Sequence, residues 1–461
     1  MLYNNGKGSF RRRTAQALEH FADRHYEFYV FLIWVLALIG YAYLFAFPYG
    51  LYQGGVYLMH AVPRAASADD WGRVGAVISI MLLCLVTCLH IIRMRGLQPR
   101  GIPLRREHAP QLFKLVQATA RQYHHPAIHR VLLSDDYQLQ LRHIPVCGFP
   151  CRFSPTLVIG LPLLQTLSPS HFRCELTRRI AQHSRRRLQP GYHVLRTQQL
   201  WQGYTEVLTT QPRFGDQLLR WFLGLYSPLF DLLSLPVRRR DELTADSKAL
   251  EYVNDKDVFE AVKAGAISAL FLTRHYWPRV RRLALKDGVT ELAPFTKLDQ
   301  LACPLLRQID GRKWLQELRA GEPDPTSPLP DLQHRMHNMG QGKLREAPTV
   351  ITPAAALYFQ ESHAPLVQAV DALWQATTLR AWRRAYERKR ADIAAIQALS
   401  EKSHGRPLRL KEIWRYARLA KRLQGKPRRR SMAKLLRRNL SHFGKAQAGP
   451  DADHGRLEDV F

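Results

Sequence analysis

Cysteine is scarce. The chain has 461 residues and six cysteines: Cys84, Cys88, Cys147, Cys151, Cys174 and Cys303. Two of them lie in an apolar run and the others are spread thinly. That pattern excludes a disulfide framework and suits a reducing compartment. Acidic residues are short as well: 38 Asp and Glu stand against 68 Lys and Arg, a formal charge of +30. A balance that basic calls for an acidic partner, which can be anionic lipid, nucleic acid or an acidic protein surface. The excess is uneven. Between Arg380 and Lys445 there are 22 Lys or Arg and 4 Asp or Glu, a surplus of 18.

Two stretches have no charge at all. Phe28 to Pro48 reads FYVFLIWVLALIGYAYLFAFP and Val74 to Ile92 reads VGAVISIMLLCLVTCLHII. Each is long enough to cross a hydrocarbon core of about 30 Å, so both are expected to be transmembrane helices. Trp34, Tyr41, Tyr43, Tyr49 and Trp71 supply aromatics, several near the expected interfaces. Lys7, Arg11, Arg12, Arg13 and Arg24 precede the first run, and Arg93, Arg95, Arg100, Arg105 and Arg106 follow the second. The loop between them carries Arg64 and Arg73 offset by Asp69 and Asp70. The bias of basic residues predicts a multi-pass protein of a bacterial-type inner membrane with both termini in the cytoplasm. The first run lacks a small-residue cleavage site and is too long for a signal peptide.

The remainder reads as mainly helical with a little sheet. Ala109 to Tyr123 has helical periodicity, and Tyr137 to Gln140 and Thr156 to Gly160 look like short strands, separated by Pro145, Gly148 and Pro150. Ser168 or Ser170 can cap a helix that follows, with Glu175 as an early acidic residue. Tyr192 to Leu208 reads as another helix. Phe214 to Leu235 is apolar but contains Pro228, which predicts two helices, and it can form a hydrophobic hairpin docked on the membrane. Arg238 to Val253, Asp257 to His275 and Ala354 to Trp374 are further helices, and Pro323 to Pro330 is a loop. The expected organisation is a cytoplasmic segment over 1–27, two spans over 28–93, a folded domain over 94–378, and a basic helical region with a polar tail over 379–461.

The chemistry-bearing stretch is FRCELTRRIAQHSRRR, Phe172 to Arg187. Before it stand DDYQLQ, GFP and TLVIGLPLLQTLS. After it stands Glu242-Leu243-Thr244-Ala245-Asp246, an E-x-x-A-D sequence. This order resembles the bacterial members of metallopeptidase family 48, the membrane-anchored zinc peptidases that include HtpX and the CAAX prenyl protease. The resemblance covers about residues 26 to 385. It implies a zincin-like, mainly helical α+β domain on a membrane anchor, a proteolytic ancestry, and zinc held by H-E-x-x-H together with the Glu of E-x-x-A-D.

This chain departs from that pattern where the chemistry sits. The first His falls on Arg178, the catalytic Glu on Arg179 and the second His on Gln182, so the motif reads Arg178-Arg179-Ile180-Ala181-Gln182. A guanidinium does not give up its proton and cannot ligate zinc. An amide carbonyl suits hard cations, not zinc. Of the family's ligand positions, Glu242 keeps donor chemistry. Arg179 also removes the general base that would take a proton from water. A further family motif reads Leu329-Pro330-Asp331-Leu332-Gln333-His334-Arg335 here, with Arg335 kept and the His replaced by Leu329. The resemblance therefore implies a pseudo-peptidase with zinc lost. Arg178 could substitute for the metal's charge by pairing with Glu242 or Asp246, or Arg178 and Arg179 could face solvent.

Other sites were weighed. His183 with Glu242, near Cys174, His171 and His193, lacks enough donors for a displaced zinc site. Cys147-x3-Cys151 with His143 lacks a second ligand pair. The C-terminal region, with Arg383, Arg384, Arg415, Arg428, Arg429 and Arg430 among Trp382, Tyr386, Trp414 and Tyr416, suits anionic lipid headgroups ahead of nucleic acid. The expected function is a membrane-anchored pseudo-peptidase that binds or scaffolds membrane-protein or unfolded-peptide clients, with no cofactor. The alternatives are an active metallopeptidase with displaced ligands and a tethered lipid- or nucleic-acid-binding module.

Overall fold

The computed structural model describes residues 5–93, 99–147, 149–183, 190–210, 216–284, 292–308, 311–320, 324–340, 352–405 and 409–424. It is mainly helical, with one small mixed sheet. Two compact units divide the chain: residues 10–280 with 291–374, and residues 375–461 with 1–9 and 281–290.

The larger unit opens with α1 (Asn5–Arg24), most of which belongs to it, followed by α2 (Tyr26–Ala61) and α3 (Ala68–Arg93). Both α2 and α3 are long and apolar enough to cross a membrane. The first apolar run was expected to end at Pro48, but α2 passes through that residue without a break. A proline inside an apolar helix loses one backbone hydrogen bond, and packing against a neighbour keeps the helix continuous.

The sheet comprises β1 (Ile102–Leu104), β2 (Arg130–Ser134), β3 (Leu139–Cys147) and β4 (Phe149–Gly160), with α4 (Pro110–Gln122) between β1 and β2. The strand order is β1-β2-β4-β3: β2 and β4 run parallel, and the two outer pairs are antiparallel. β3 and β4 form a long hairpin in which Leu141 faces Leu157 and Pro145 faces Phe153. The expected short strands are thus longer, and neither Pro145 nor Pro150 breaks them. Pro145 lies on an edge strand. Pro150 lies where β4 has no partner on its β2 side, since that pairing covers Thr156 to Gly160. Edge strands, and irregularities such as the register shift between Pro145 and Cys147, tolerate proline. β3 alternates buried Leu139, Leu141 and His143 with more exposed Gln140, Arg142 and Ile144, and it forms one edge of the sheet.

Next come α5 (Leu161–Thr166), α6 (Pro169–Gln182), α7 (Pro190–Thr210), α8 (Gln217–Leu233), α9 (Leu235–Leu250) and α10 (Asp255–Phe271). α6 begins where the sequence says it should. The Ser168 hydroxyl accepts the His171 N–H, and Pro169 occupies the first turn, where no N–H is needed. Pro228 does not split the apolar stretch after it. It lies inside α8, and the break comes at Ser234, with a bend of 48° into α9.

α8 lies antiparallel along α2. The Tyr29 hydroxyl donates to the Leu233 carbonyl at 2.6 Å, Tyr226 to that of Leu36 at 2.6 Å, and Tyr43 to that of Leu218 at 3.0 Å. Tyr43 and Phe222 stack at 3.8 Å between ring centroids. Gly40 is required at this contact, because a Cβ there would sit 2.7 Å from both Trp201 Cζ2 and the Tyr226 hydroxyl. The opposite face of α8 exposes Leu218, Trp221, Leu225 and Leu229, spaced at three and four residues.

The rest of this unit is helical: α11 (Trp277–Ala284) at its border, α12 (Pro294–Gln308), α13 (Gly311–Ala320), α14 (Leu332–Asn338), α15 (Ala354–Phe359) and α16 (His363–Trp374). The second unit contains α17 (Arg380–Gly405) and α18 (Leu410–Gln424), which pack on each other through Leu399 and Tyr416 with Ile396, Ile413 and Leu419. Arg384 and Arg415 are exposed and Arg383 is half-buried, while Arg428, Arg429 and Arg430 lie outside the described residues.

Candidate functional site

On a helix, side chains three and four residues apart share a face. In α6 that rule lines up Glu175, Arg178, Arg179 and Gln182. In α9 it lines up Arg238, Glu242 and Asp246. The two stripes meet, because α6 packs against α9.

Arg178 is at the centre, with its side chain 4 % exposed. Its Nε and Nη2 donate to the two carboxylate oxygens of Glu175 at 3.0 and 2.8 Å. Its Nη1 donates to Glu242 Oε2 at 2.6 Å and lies 3.4 Å from Asp246 Oδ1. Arg179 lies beside it. Its Nη1 donates to Glu242 Oε1 at 2.7 Å and to Gln182 Oε1 at 3.1 Å, and its Nε reaches Glu175 Oε1 at 3.2 Å. Asp246, fully buried, takes a two-pronged contact from Arg335 of α14 at 2.8 and 2.9 Å. Three guanidiniums therefore serve three carboxylates, and α6, α9 and α14 are tied through them. Arg178 is buried, and Arg179 is partly exposed, but both guanidiniums are held by carboxylates.

Burial alone would push these carboxyls up. For Glu175 the guanidiniums of Arg178 and Arg179 outweigh it, and the net shift is downward. For Glu242 burial is again opposed by Arg179 and then Arg178, which hold its carboxyl well below the usual range. Burial lowers the Arg178 pKa, but Glu175, Glu242 and Asp246 together raise it well above its ordinary value. Glu175, Glu242 and Arg178 are therefore ionised throughout the neutral range.

These residues do not fit a zinc ion. The Glu242 carboxylate, the one donor the family pattern retains, has both oxygens occupied by guanidinium N–H groups. Gln182 turns its carbonyl oxygen to Arg179. Among the described residues, no group of three or more His, Cys, Asp or Glu side chains is arranged to hold a metal. His183 is not brought to Glu242 as a ligand: its Nδ1 donates to the Arg179 carbonyl at 2.9 Å, and its ring stacks on His143 at 5.3 Å. Burial pushes its pKa down to about 4, so it is neutral. His171 lies 3.8 Å from Glu260, Cys174 is buried, and His193 packs on Trp34. The side chains of Cys147 and Cys151 lie outside the described residues.

Beside the cluster is a cleft of about 320 Å³. Its walls are the β3 edge from Tyr137 to Arg142, the end of α6 with Arg179, Gln182 and His183, the α7 residues Leu195, Gln198, Gln199 and Gln202, and Arg238, Asp241 and Glu242 of α9, with Arg238 paired to Asp231 at 2.8 Å. Leu329, where the family motif has His, lines it too. On the β3 edge, the Leu141 carbonyl accepts a hydrogen bond from Gln199 Nε2 at 3.3 Å.

Sequence reasoning missed Glu175 and Asp241. Glu175 was taken for an ordinary acid of a helix start. Its signal was its spacing, three and four residues before Arg178 and Arg179. Asp241 carried no signal short of the fold that buries it. No protein-family model, curated protein or solved structure matches the chain. Fold and site together define a membrane-associated helical protein whose central ionic cluster is internally neutralised.

Proposed function

We propose that the protein is a catalytically inactive descendant of the membrane-anchored zinc metallopeptidases, acting as a binding or scaffolding protein for extended segments of membrane proteins or unfolded chains. The observation that carries this reading is the pairing of Arg178 and Arg179 with Glu242. It supports a metal's charge having been replaced by charge built into the chain. The cleft beside it still has a strand edge along one wall. An extended peptide can add to such an edge through main-chain hydrogen bonds, with side-chain pockets supplying selectivity.

The membrane setting rests on α2 and α3. In this reading both termini are cytoplasmic at an inner membrane, and the apolar stripe of α8 lies against lipid beside α2. The exposed Trp414, next to Arg415 and Arg418 on α18, favours anionic headgroups as an additional contact of the second unit.

Restoring the expected motif tests the descent. The combined Arg178→His, Arg179→Glu and Gln182→His variant is expected to bind one zinc per chain, measured by elemental analysis. Adding Glu242→Ala should abolish that binding. The unaltered chain is expected to hold no stoichiometric zinc. Zinc in the unaltered chain that disappears with Glu242→Ala would overturn the reading in favour of an active peptidase.

A further inference from the structure

Asp241 and Glu242 are consecutive in sequence and line one cleft, yet they are treated differently. Glu242 has two guanidiniums. Asp241 is 9 % exposed and has no hydrogen bond or ion pair among the described residues. Its side chain is pressed against α7, where a Cβ on Gly191 would lie 2.5 Å from Asp241 Oδ1. Leaving a carboxyl buried without a partner is costly unless something completes it.

It is not the cleft's one unsatisfied acceptor. Gln199 gives its amide N–H to Leu141, and its Oε1 is buried without a partner. His183 must donate through Nδ1, because the Arg179 carbonyl can only accept. Its Nε2 is therefore a bare acceptor, also buried and unpartnered. Asp241, Gln199 and His183, which carry these three acceptors, all line one cleft, and none of the three acceptors has a donor among the described residues. A group rich in N–H and positive charge satisfies all three kinds of acceptor.

We infer that the cleft recognises a basic side chain, the ammonium of lysine or the guanidinium of arginine, on an extended peptide, with Asp241 as its counter-charge and Gln199 and His183 as auxiliary acceptors. The inference rests on the extended-peptide reading above and gives it a selectivity. The β3 edge positions the backbone, and Asp241 selects the residue that enters.

The groups facing Asp241 are Glu242 and Lys248 of its own helix, Arg179 of α6 and Tyr26 of α2, while α7 meets it through Gly191. Burial, and then the Glu242 charge, push the Asp241 carboxyl up to about 7. His183 titrates at about 4 and stays neutral above it. Recognition of a cation therefore strengthens as pH rises through neutrality.

The test uses the full chain in detergent and three short, acetylated and amidated peptides of alternating valine and threonine. They differ at one central position, which is lysine, norleucine or glutamate. At about pH 8.5 the lysine peptide is expected to bind about tenfold more tightly than the norleucine peptide, and the glutamate peptide more weakly than either. The lysine preference should vanish at about pH 5.5 in the unaltered chain, an arm that needs no variant. Asp241→Asn should bring the lysine and norleucine peptides level at both pH values. Equal binding of all three by the unaltered chain would overturn the selectivity and leave the extended-peptide reading standing. Binding of none would overturn both.

Discussion

Arg178→Met is the most direct probe of the ionic cluster. Methionine approximates the arginine stem and removes the guanidinium. The structure fixes what is lost: two hydrogen bonds to Glu175, one to Glu242 and a 3.4 Å approach to Asp246, all in a side chain 4 % exposed. Breaking a buried ion pair from one side leaves carboxylates uncompensated and costs about 3–5 kcal/mol. The lower end applies here, because Arg179 still serves Glu175 and Glu242, and Arg335 still serves Asp246. At roughly 2–4 °C per kcal/mol for a domain of this order, the apparent unfolding midpoint should fall by roughly 6–12 °C. The assay is thermal unfolding of the detergent-solubilised chain at neutral pH. Since such unfolding is not guaranteed to be reversible, the decisive quantity is a difference within a cycle. Arg178→Met, Glu242→Gln and the double variant are compared. Glu242→Gln should cost less in the Arg178→Met background, by about 1–3 kcal/mol. A midpoint unchanged by Arg178→Met, or strictly additive effects, would refute the reasoning.

Three further outcomes follow from the same groups. Glu175 and Glu242 have carboxyls held below their ordinary values, so the stability they supply is complete above about pH 4.5 and drains away as pH falls towards their folded pKa values. Unfolding midpoints should drop below that point, and less so in the Glu175→Gln, Glu242→Gln double variant. Asp241 works in the opposite sense: raised from 3.8 to about 7, it costs stability progressively between about pH 4 and pH 7, by at most about 4 kcal/mol. Asp241→Asn should therefore raise the midpoint at pH 8 and match the unaltered chain near pH 4, and a pH-independent difference would count against its burial as a lone carboxyl. In neutral-lipid nanodiscs, the full chain should capture anionic vesicles through its basic second unit, and a chain ending at Trp374 should not. Equal capture would remove that unit as a lipid contact.

The sequence was most informative where a local rule decides the structure. The apolar runs gave α2 and α3, Ser168 gave the start of α6, and the spacing of Glu242 and Asp246 gave one stripe of α9. The prolines were read too literally. Pro48 and Pro228 lie inside continuous helices because those helices are held by neighbours, as Tyr226 holds Leu36. Pro145 lies in an edge strand beside a register irregularity, and Pro150 in the part of β4 that does not pair with β2, settings that tolerate proline. The site was half legible. That positions 178 and 179 carry arginines, which cannot ligate a metal, could be read directly. That both turn inward, and that Glu175 and Arg335 complete the charge balance, depends on how α6, α9 and α14 meet. The cleft depends on five separated segments and had no signature in any one of them.

Replacing buried ion pairs by well-packed apolar residues is often neutral or stabilising, so stability alone does not call for three arginines. What the arginines preserve is geometry. Each carboxylate keeps its position, α6 stays registered on α9, and α14 stays anchored through Asp246. The adjoining cleft, which Arg179, Gln182 and Glu242 line, is bounded by these tied helices. Asp241 then stands out against that order. Glu242 takes two guanidiniums from α6, whereas Asp241, the residue before it on α9, has no partner among the described residues and lines the same cleft. On the proposed reading, a ligand's donors complete the acceptors that the described residues leave without partners on that side of the cleft.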